Sequence, residues 1–428
     1  MTNSDADSLR GMCAPAMRSV MARVPAFTAV IFFLLFSGPP SFRKRDPMDS
    51  LQGVVDWSVL LQAAVWVFAG LWTVYQLGRD LRAGRRIPIT QAEIAGLVMI
   101  ACLAVSIFVS EAPLLTAFKI GQLLISLLFA ALFVRRHGIS KCIDYIFAAS
   151  VVLTLAIAVC AFVAPDLVFY EDFDMVRLHG DPIAPLPTVA TYALFLLITR
   201  RRRLSEFRFW ILFSFLSTML VVSLTRHAWF LAIASLLLYL YKESKSAVLR
   251  RTTLLLLATA PFVLVFYVFP ALNTYRSSDS IANLTGRTDL WVYLVGITIL
   301  RSPWIGLGYY SASRLVASNF NAGMGTAHSA FVEVFLGGGL ISLIPCLILF
   351  YLLAYKSLQC LSRTAPRLNF VGGVLFLITA TIALMGGDFT AGEIGITFWS
   401  LAAFLPAAVD ARHPVSGTAH QHLRAVIT

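Results

Sequence analysis

The sequence predicts an all-α fold: a polytopic transmembrane bundle of about 12 helices, with one large outer loop that contains short interfacial helices. Composition supports this first, because 58% of the 428 residues are hydrophobic, only 13% are charged, and the mean hydropathy is +0.79. Apolar runs of roughly 17 to 25 residues then recur along the chain, and this length crosses a bilayer of ~30 Å. Between two such runs lies a long polar stretch, residues 271–328.

The predicted spans divide the chain into five parts. A cytoplasmic N-terminal tail (1–23) precedes spans one to nine (24–270), the outer loop (271–328) follows, and spans ten to twelve (329–409) lead to a cytoplasmic C-terminal tail (410–428). The individual spans are predicted over residues 24–40, 54–76, 93–110, 113–134, 143–165, 183–199, 207–225, 227–241, 252–270, 329–355, 369–387 and 391–409.

Lysine and arginine set the predicted orientation, because basic residues in short loops are retained on the cytoplasmic side. They concentrate in alternate loops, as in Arg200–Arg203 and in the basic residues of 242–251. This bias places both tails in the cytoplasm and residues 271–328 on the outer side. The net charge of +12 then lies mostly on the inner face, where it favours anionic lipid headgroups rather than nucleic acid.

Within the outer loop, residues 289–300 form an apolar stretch that is too short to cross the bilayer. We predict a helix that lies along the interface, with Trp291 at headgroup level and with Thr288 or Asp289 as its N-cap. Serine, proline and glycine residues then interrupt the helical pattern over 302–308.

Three residues on the outer side carry the predicted chemistry. His328 precedes the tenth span, and an imidazole with a pKa of about 6.5 accepts a proton from a hydroxyl at neutral pH. Arg226 and Arg287 keep their charge and can grip diphosphate oxygens. Plainer interpretations are a packed interfacial residue for His328, a snorkelling side chain for Arg226 and a helix-end partner of Asp289 for Arg287.

Further arginines are weaker candidates for substrate binding. Arg177 lies in an acidic outer tract, where it can instead pair with a carboxylate of residues 171–174. Arg301 and Arg314 belong to the outer loop and can also simply face solvent. The six cysteines include no CxxC pair, and the outer loop has no acidic cluster of metal-binding spacing. We therefore predict metal-independent chemistry with no cofactor.

The motifs together resemble a known family. SLTRHAW is followed by an outer loop that opens with TGRTDLW, continues through RSPWIGLGYYS and closes with AHSAFVEVFLGGGLISLI. This order looks like the O-antigen ligase and polymerase superfamily, and RLHGDPIAPLPT resembles a further tract of that family. The resemblance covers residues 175–345; the other spans agree with the family in number and hydropathy only.

The resemblance implies a glycosyltransferase of the bacterial inner membrane. Enzymes of this family transfer a glycan from undecaprenyl diphosphate to an acceptor hydroxyl on the periplasmic side, with inversion at the anomeric carbon of the sugar. By analogy, His328 is the base, and Arg226 and Arg287 hold the diphosphate. A flippase that supplies the donor and a chain-length regulator are candidate partners.

Two acceptors remain open, and so does one function of a different class. A polymerase adds the glycan to another lipid-linked repeat unit, in exopolysaccharide or O-antigen synthesis, whereas a ligase adds it to lipid A core; we favour the polymerase. The rival is a twelve-span transporter, whose two halves are often related. The halves 24–199 and 207–409 show no internal repeat, and away from the span ends Lys119 and Glu333 are the only candidate intramembrane charges.

Overall fold

The computed structural model describes most of the predicted spans and parts of the outer loop. The described residues are 25–38, 57–84, 88–172, 175–180, 183–263, 287–320, 326–385 and 392–410. The predicted N-terminal tail, the C-terminal tail beyond Asp410 and residues 264–286 of the loop region lie outside these ranges.

The described chain is mainly helical. Two short 3₁₀ helices, Ser106–Val109 and Arg201–Arg203, accompany the α-helices. The α-helices are α1 (Ala26–Ser37), α2 (Trp57–Arg82), α3 (Gln91–Val105), α4 (Pro113–Val163), α5 (Pro165–Val168), α6 (Leu186–Thr199), α7 (Glu206–Val222), α8 (Arg226–Glu243), α9 (Ala247–Val263), α10 (Arg287–Arg301), α11 (Ser311–Phe320), α12 (Ala330–Cys360), α13 (Arg367–Met385) and α14 (Gly392–Asp410).

The helices confirm a multi-pass, all-α membrane protein. A helix coincides with every predicted span. In the described ranges, six helices are long and apolar enough to cross a membrane: Val59–Arg82, Gln91–Val109, Pro113–Val163, Ala330–Cys360, Arg367–Met385 and Gly392–Val409. The helices α1 and α6 are apolar but shorter. The total of twelve spans and their orientation stay predictions.

Helix α4 accounts for two predicted spans. Its 51 residues are interrupted at Gly138, whose φ of 79° and ψ of 155° are not helical. Glycine adopts positive φ without the steric cost that a side chain would bring. The two segments on either side, 113–137 and 139–163, are each long enough to span a bilayer. The break therefore falls between the predicted spans 113–134 and 143–165.

Helix α6 lies at the centre of the core. All of its residues from Leu186 to Thr199 are buried, and it packs against α4, α7 and α8. The Tyr192 hydroxyl lies 2.8 Å from the Thr379 hydroxyl of α13. A buried hydroxyl needs such a partner because its desolvation is otherwise costly. Because α6 is held in the core, the segment that leads into it from the predicted outer loop is held at that end.

A β-hairpin was not predicted from the sequence. Strands β1 (Phe169–Asp172) and β2 (Met175–Leu178) pair antiparallel, with Tyr170 opposite Arg177. The hairpin occupies the predicted outer loop between the fifth and sixth spans. It therefore adds strand pairing to a tract that the sequence had described only as an acidic outer loop.

Candidate functional site

Helix α10 is attached to two other segments at its N-terminal end. It begins at Arg287, so the predicted caps Thr288 and Asp289 lie inside the first turn instead. The Arg287 guanidinium donates a hydrogen bond to the carbonyl of Met385, the last residue of α13. A cation at a helix C-terminus satisfies a free carbonyl and opposes the negative end of the helix dipole.

The second attachment leads directly to His328. The indole Nε1 of Trp291 donates to the Ala327 carbonyl over 2.8 Å. Ala327 is fully buried, and His328 follows it with φ at +50°. Left-handed backbone costs a residue with a side chain about 1–2 kcal/mol, and such strain concentrates at functional sites. Ser329 then caps α12 in an extended conformation.

The β-hairpin positions His179. The backbone N–H of His179 donates to the Val168 carbonyl over 3.0 Å, and its own carbonyl accepts from the Leu186 N–H over 2.9 Å. The next residue, Gly180, has φ +91°, and a Cβ there would lie 2.5 Å from the Ala184 carbonyl oxygen. A glycine is therefore needed for the chain to turn from the hairpin into α6.

Arg177 and His179 lie on the same side of the hairpin chain, two residues apart. The Arg177 guanidinium carbon is 5.7 Å from the centre of the Tyr170 ring, and the rings of Tyr170 and His179 are 6.4 Å apart. The ion pair that the sequence suggested between Arg177 and the carboxylates of 171–174 lies outside the described side chains.

Electrostatics join these segments into one group. The pKa of His328 is lowered to about 4, first by burial and then by its electrostatic interactions with Arg287 and His179. Arg287, His179 and Arg177 also act on the imidazole of His227. We call these five residues, which come from the hairpin, α8, α10 and the start of α12, the charged cluster.

Arg226 is adjacent to this cluster in the chain. Helix α7 ends at Val222 and α8 begins at Arg226, after a tight turn in which Leu224 has φ +50°. The Trp229 indole donates to the Leu220 carbonyl over 2.8 Å and holds the two helices together. The structure places His227 in the charged cluster and Arg226 beside it on the first turn of α8.

The other two loop arginines lie elsewhere. Arg301 is exposed at the last residue of α10, about 21 Å along the helix axis from Arg287. Arg314 lies against Tyr310, with its Nη2 2.6 Å from the tyrosine hydroxyl, and Lys119 approaches the same ring to 4.0 Å. The structure thus separates Arg301 from the charged cluster and groups Arg314 with Lys119.

Beyond Arg301 the chain packs on α12 through its backbone. The N–H groups of Leu307 and Gly308 donate to the carbonyls of Leu336 and Gly337 over 2.8 and 3.0 Å. In return, the carbonyls of Pro303 and Trp304 accept from the N–H groups of Leu340 and Ile341 over 2.9 and 3.2 Å. We call the paired segments 303–308 and 336–341 the glycine junction.

Close backbone approach explains the glycines of this junction. Helix α12 is interrupted at Gly339, with φ 63° and ψ −162°, and the interruption frees backbone groups to bond the loop. A Cβ on Gly339 would lie 2.3 Å from the Trp304 carbonyl, and one on Gly306 would lie 2.5 Å from Gly337. The motifs RSPWIGLG and FLGGG are separate in the sequence, and the structure shows that they are two halves of one contact.

A hydroxyl cluster attaches the end of this loop to α4. The side-chain oxygens of Ser110, Thr116 and Ser311 lie 2.8 Å from one another in all three pairs. The Tyr309 N–H donates to the Ser106 hydroxyl over 3.2 Å. Because both ends of 302–310 are held, the glycine junction fixes α10 and α12 relative to each other, and these two helices carry Arg287 and His328.

The charged cluster can bind an anion and accept a proton. Arg177 and Arg287 supply permanent positive charge, and His328 is neutral at neutral pH because of its lowered pKa. The sequence prediction named Arg177, Arg287 and His328 but omitted His179 and His227 as site residues. Both directly adjoin predicted arginine tracts, RLHG and TRHAW, and this proximity is the signal that could have indicated them. Among the described residues, no group of His, Cys, Asp or Glu side chains could hold a metal ion.

Comparison with known proteins agrees with these motifs. A protein-family model described as O-antigen ligase matches residues 211–348, about a third of the chain. The matched segment includes His227, Arg287, His328 and both halves of the glycine junction, whereas the hairpin precedes it. No curated protein matches the chain. Residues 211–348 of this membrane protein are thus similar to the O-antigen ligase family, and the match supports the resemblance that the motifs predicted.

Proposed function

We propose that the protein transfers a glycan from undecaprenyl diphosphate to an acceptor hydroxyl, with inversion and without a metal ion. The reaction takes place on the periplasmic side of the bacterial inner membrane. The observation that carries the proposal is that Trp291, in the first turns of the helix that begins at Arg287, donates to the carbonyl of Ala327 and so brings this helix end to His328. Arg287 and His328 both belong to the segment that matches the O-antigen ligase family, in which ligases and polymerases act on lipid-linked glycans.

Arginine serves the leaving group in this proposal. The diphosphate of the donor lies against Arg287 and Arg226, with Arg177 on the hairpin side. Planar guanidinium groups donate paired hydrogen bonds to phosphate oxygens. Because they hold positive charge where negative charge develops as the sugar departs, they stabilise the transition state more than the bound donor.

His328 serves the acceptor. Its neutral imidazole removes the proton from the acceptor hydroxyl, and the oxygen attacks the anomeric carbon from the face opposite the diphosphate. The new C–O bond forms as the bond to the diphosphate oxygen breaks, and that oxygen leaves with the electron pair. A diphosphate beside Arg287 offsets the positive charge there, and it therefore raises the pKa of His328 towards the range of an efficient base.

The acceptor defines which member of the superfamily this protein is. The same base and cations serve a lipid-linked repeat unit or lipid A core, and we favour the repeat unit, hence a polymerase of exopolysaccharide or O-antigen. A flippase that supplies the donor would act before this step, and a chain-length regulator would act with a polymerase.

The test uses the full-length protein purified in detergent. It is mixed with undecaprenyl diphosphate-linked repeat units and a chelator, and the products are separated by size. A ladder of longer lipid-linked glycans supports a metal-independent polymerase, whereas transfer that requires added lipid A core supports a ligase. Each product must disappear with His328→Ala. Absence of product with both acceptors contradicts the proposal and favours the transporter.

A further inference from the structure

A cavity of about 360 Å³ lies at the other end of α6 from His179. It is a partly open cavity that is bordered by the 3₁₀ helix Arg201–Arg203 and the first turn of α7. The residues that line it are Arg201, Arg202, Leu204, Glu206, Phe209 and Trp210. This volume is at the small end of the range of ligand sites, which is about 300–1,000 Å³. It is therefore large enough for a headgroup but not for a whole lipid.

The base of the cavity is aromatic. Phe209 is buried, and its ring lies 5.8 Å from Phe213 and 5.2 Å from Trp210. The Arg201 guanidinium carbon is 5.5 Å from the centre of the Phe209 ring. An arginine above an aromatic face is oriented by the ring and still offers its N–H groups at the edges.

The rim of the cavity is cationic. Residues 200–208 contain five arginines and one glutamate. Arg202 pairs with Glu243 of α8 over 3.1 Å, yet 77% of its side chain remains exposed. The only carboxylate in the lining is Glu206. The lining itself holds two arginines and one glutamate, and the stretch 200–208 has a larger basic excess, so an anion is the ligand that this charge balance favours.

Next to the cavity, the first turns of α7 expose an apolar surface. Phe207, Trp210 and Ile211 are exposed large apolar side chains on its first turns. Such side chains suit contact with acyl chains, and tryptophan is enriched at headgroup level. A free phosphate ion would use the arginines alone, whereas a phospholipid would use both the arginines and this apolar surface.

We propose that this cavity binds the phosphate of an anionic phospholipid headgroup, with the acyl chains lying along α7. Arg201 and Arg202 hold the phosphate oxygens, and Trp210 contacts the glycerol region. The site is separate from the charged cluster, and it does not depend on the proposed transferase reaction. Part of the basic excess predicted for the inner face would then form one defined lipid site rather than a diffuse charged surface.

The experiment measures lipid retention on the full-length protein. Protein in micelles that contain equal amounts of dioleoylphosphatidylglycerol and dioleoylphosphatidylcholine is examined by native mass spectrometry. We expect preferential retention of phosphatidylglycerol, reduced on the order of tenfold or more in R201Q/R202Q, since each interfacial basic residue strengthens anionic lipid binding severalfold. The matched control R203Q/R208Q removes the same charge from the same stretch outside the lining and should retain the lipid.

Two further measurements keep the proposal testable. E206Q removes the one carboxylate of the lining and should increase phosphatidylglycerol retention, a gain that a misfolded variant would not show. Inorganic phosphate added without lipid should not raise the unfolding temperature. Equal loss in both double variants would make the binding a diffuse charge effect, and stabilisation by phosphate alone would make it a free-anion site; either result overturns the proposal.

Discussion

Helix α10 has an arginine at each end, and the surroundings of these two arginines are opposite in character. Arg287 bonds the end of α13 and acts on His328, whereas Arg301 is exposed. At the first end, side chains from four separate segments interact electrostatically. Just beyond the second end, at the glycine junction, two backbones meet and side chains are excluded.

The difference shows that motif residues within one loop can be required for two different physical reasons. The Arg287 end needs particular charges and a proton acceptor, so it should tolerate backbone change better than a change of functional group. The glycine junction needs the absence of side chains, so any Cβ should disturb it. A variant at one end can therefore be compared with the unaltered other end.

The largest effect is expected for His328→Ala. Loss of a general base reduces turnover by about 10²- to 10⁴-fold, so glycan product should fall to background while membrane abundance stays near that of the wild type. The readout is product formation per amount of protein in the membrane. Near-normal product would remove His328 from the role of base.

His328→Gly separates the imidazole from the strained backbone. Glycine accepts the observed φ of +50° without steric cost, so this variant should be at least as stable as His328→Ala. It should nevertheless be equally inactive, because neither variant can accept the proton. If activity returned with glycine, the defect of the alanine variant would lie in the backbone and not in the chemistry.

The next effect concerns the glycine junction. Gly339→Ala combines positive φ with a Cβ 2.3 Å from Trp304, and we expect a loss of about 2–5 kcal/mol of unfolding free energy. Gly296→Ala in the middle of α10 is the matched control, since nothing lies within 4 Å of its Cβ. It should gain about 0.5–1 kcal/mol. Thermal unfolding in detergent measures both, and similar stability of the two variants would contradict the junction.

A smaller effect compares the two ends of α10 directly. Arg287→Lys keeps the charge but loses the planar fork, and loss of a charge-assisted hydrogen bond at about 1.5–3 kcal/mol lowers kcat/KM by about ten- to hundredfold. Arg301→Lys, on the same helix, should stay within about twofold. Equal losses at the two positions would restore Arg301 as a substrate-binding residue.

Much of the fold could be predicted because membrane spans follow from local hydropathy. Every predicted span coincides with a helix, even where Gly138 divides α4, since a run of apolar residues needs no information about its neighbours. The β1–β2 hairpin was not predicted. Its acidic tract has no alternating apolar pattern, and the pairing of Tyr170 with Arg177 depends on tertiary context.

The sequence predicted the types of residue in the site but not their arrangement in space. Arginine and histidine near the bilayer are costly enough to indicate function, which led to Arg287 and His328. Distances between segments cannot be read from such a signal. His179 is more than a hundred residues from Arg287 in sequence, yet both act on His328, and Arg301 shares a helix with Arg287 but lies at its far end.

The last and smallest effect is a difference between two pH profiles. In the free protein, burial and the charge of Arg287 hold the pKa of His328 at about 4, so the base is neutral at and above mildly acidic pH. The acid limb of kcat/KM, which reports the free enzyme, should therefore lie below the ordinary histidine range. With the anionic donor bound, part of the Arg287 charge is neutralised, and the acid limb of kcat should move to higher pH.

Acid also weakens the fold, and the profile must allow for this. Because the pKa of His328 is depressed in the folded state, the unfolded state binds more protons as the pH falls below about 6.5, and stability decreases from there down to the folded pKa. Initial rates are therefore measured after brief exposure to each pH, with recovery of activity on return to pH 7 as the control.

In Arg287→Lys the positive charge remains, so the acid limb of kcat/KM should stay at low pH. An Arg287→Gln variant should raise it, because the second cause of the depressed pKa is then gone while burial persists. If the acid limbs of kcat/KM coincided in the wild type and both variants, Arg287 would not act on the base. The two ends of α10 would then not differ in their effect on the chemistry.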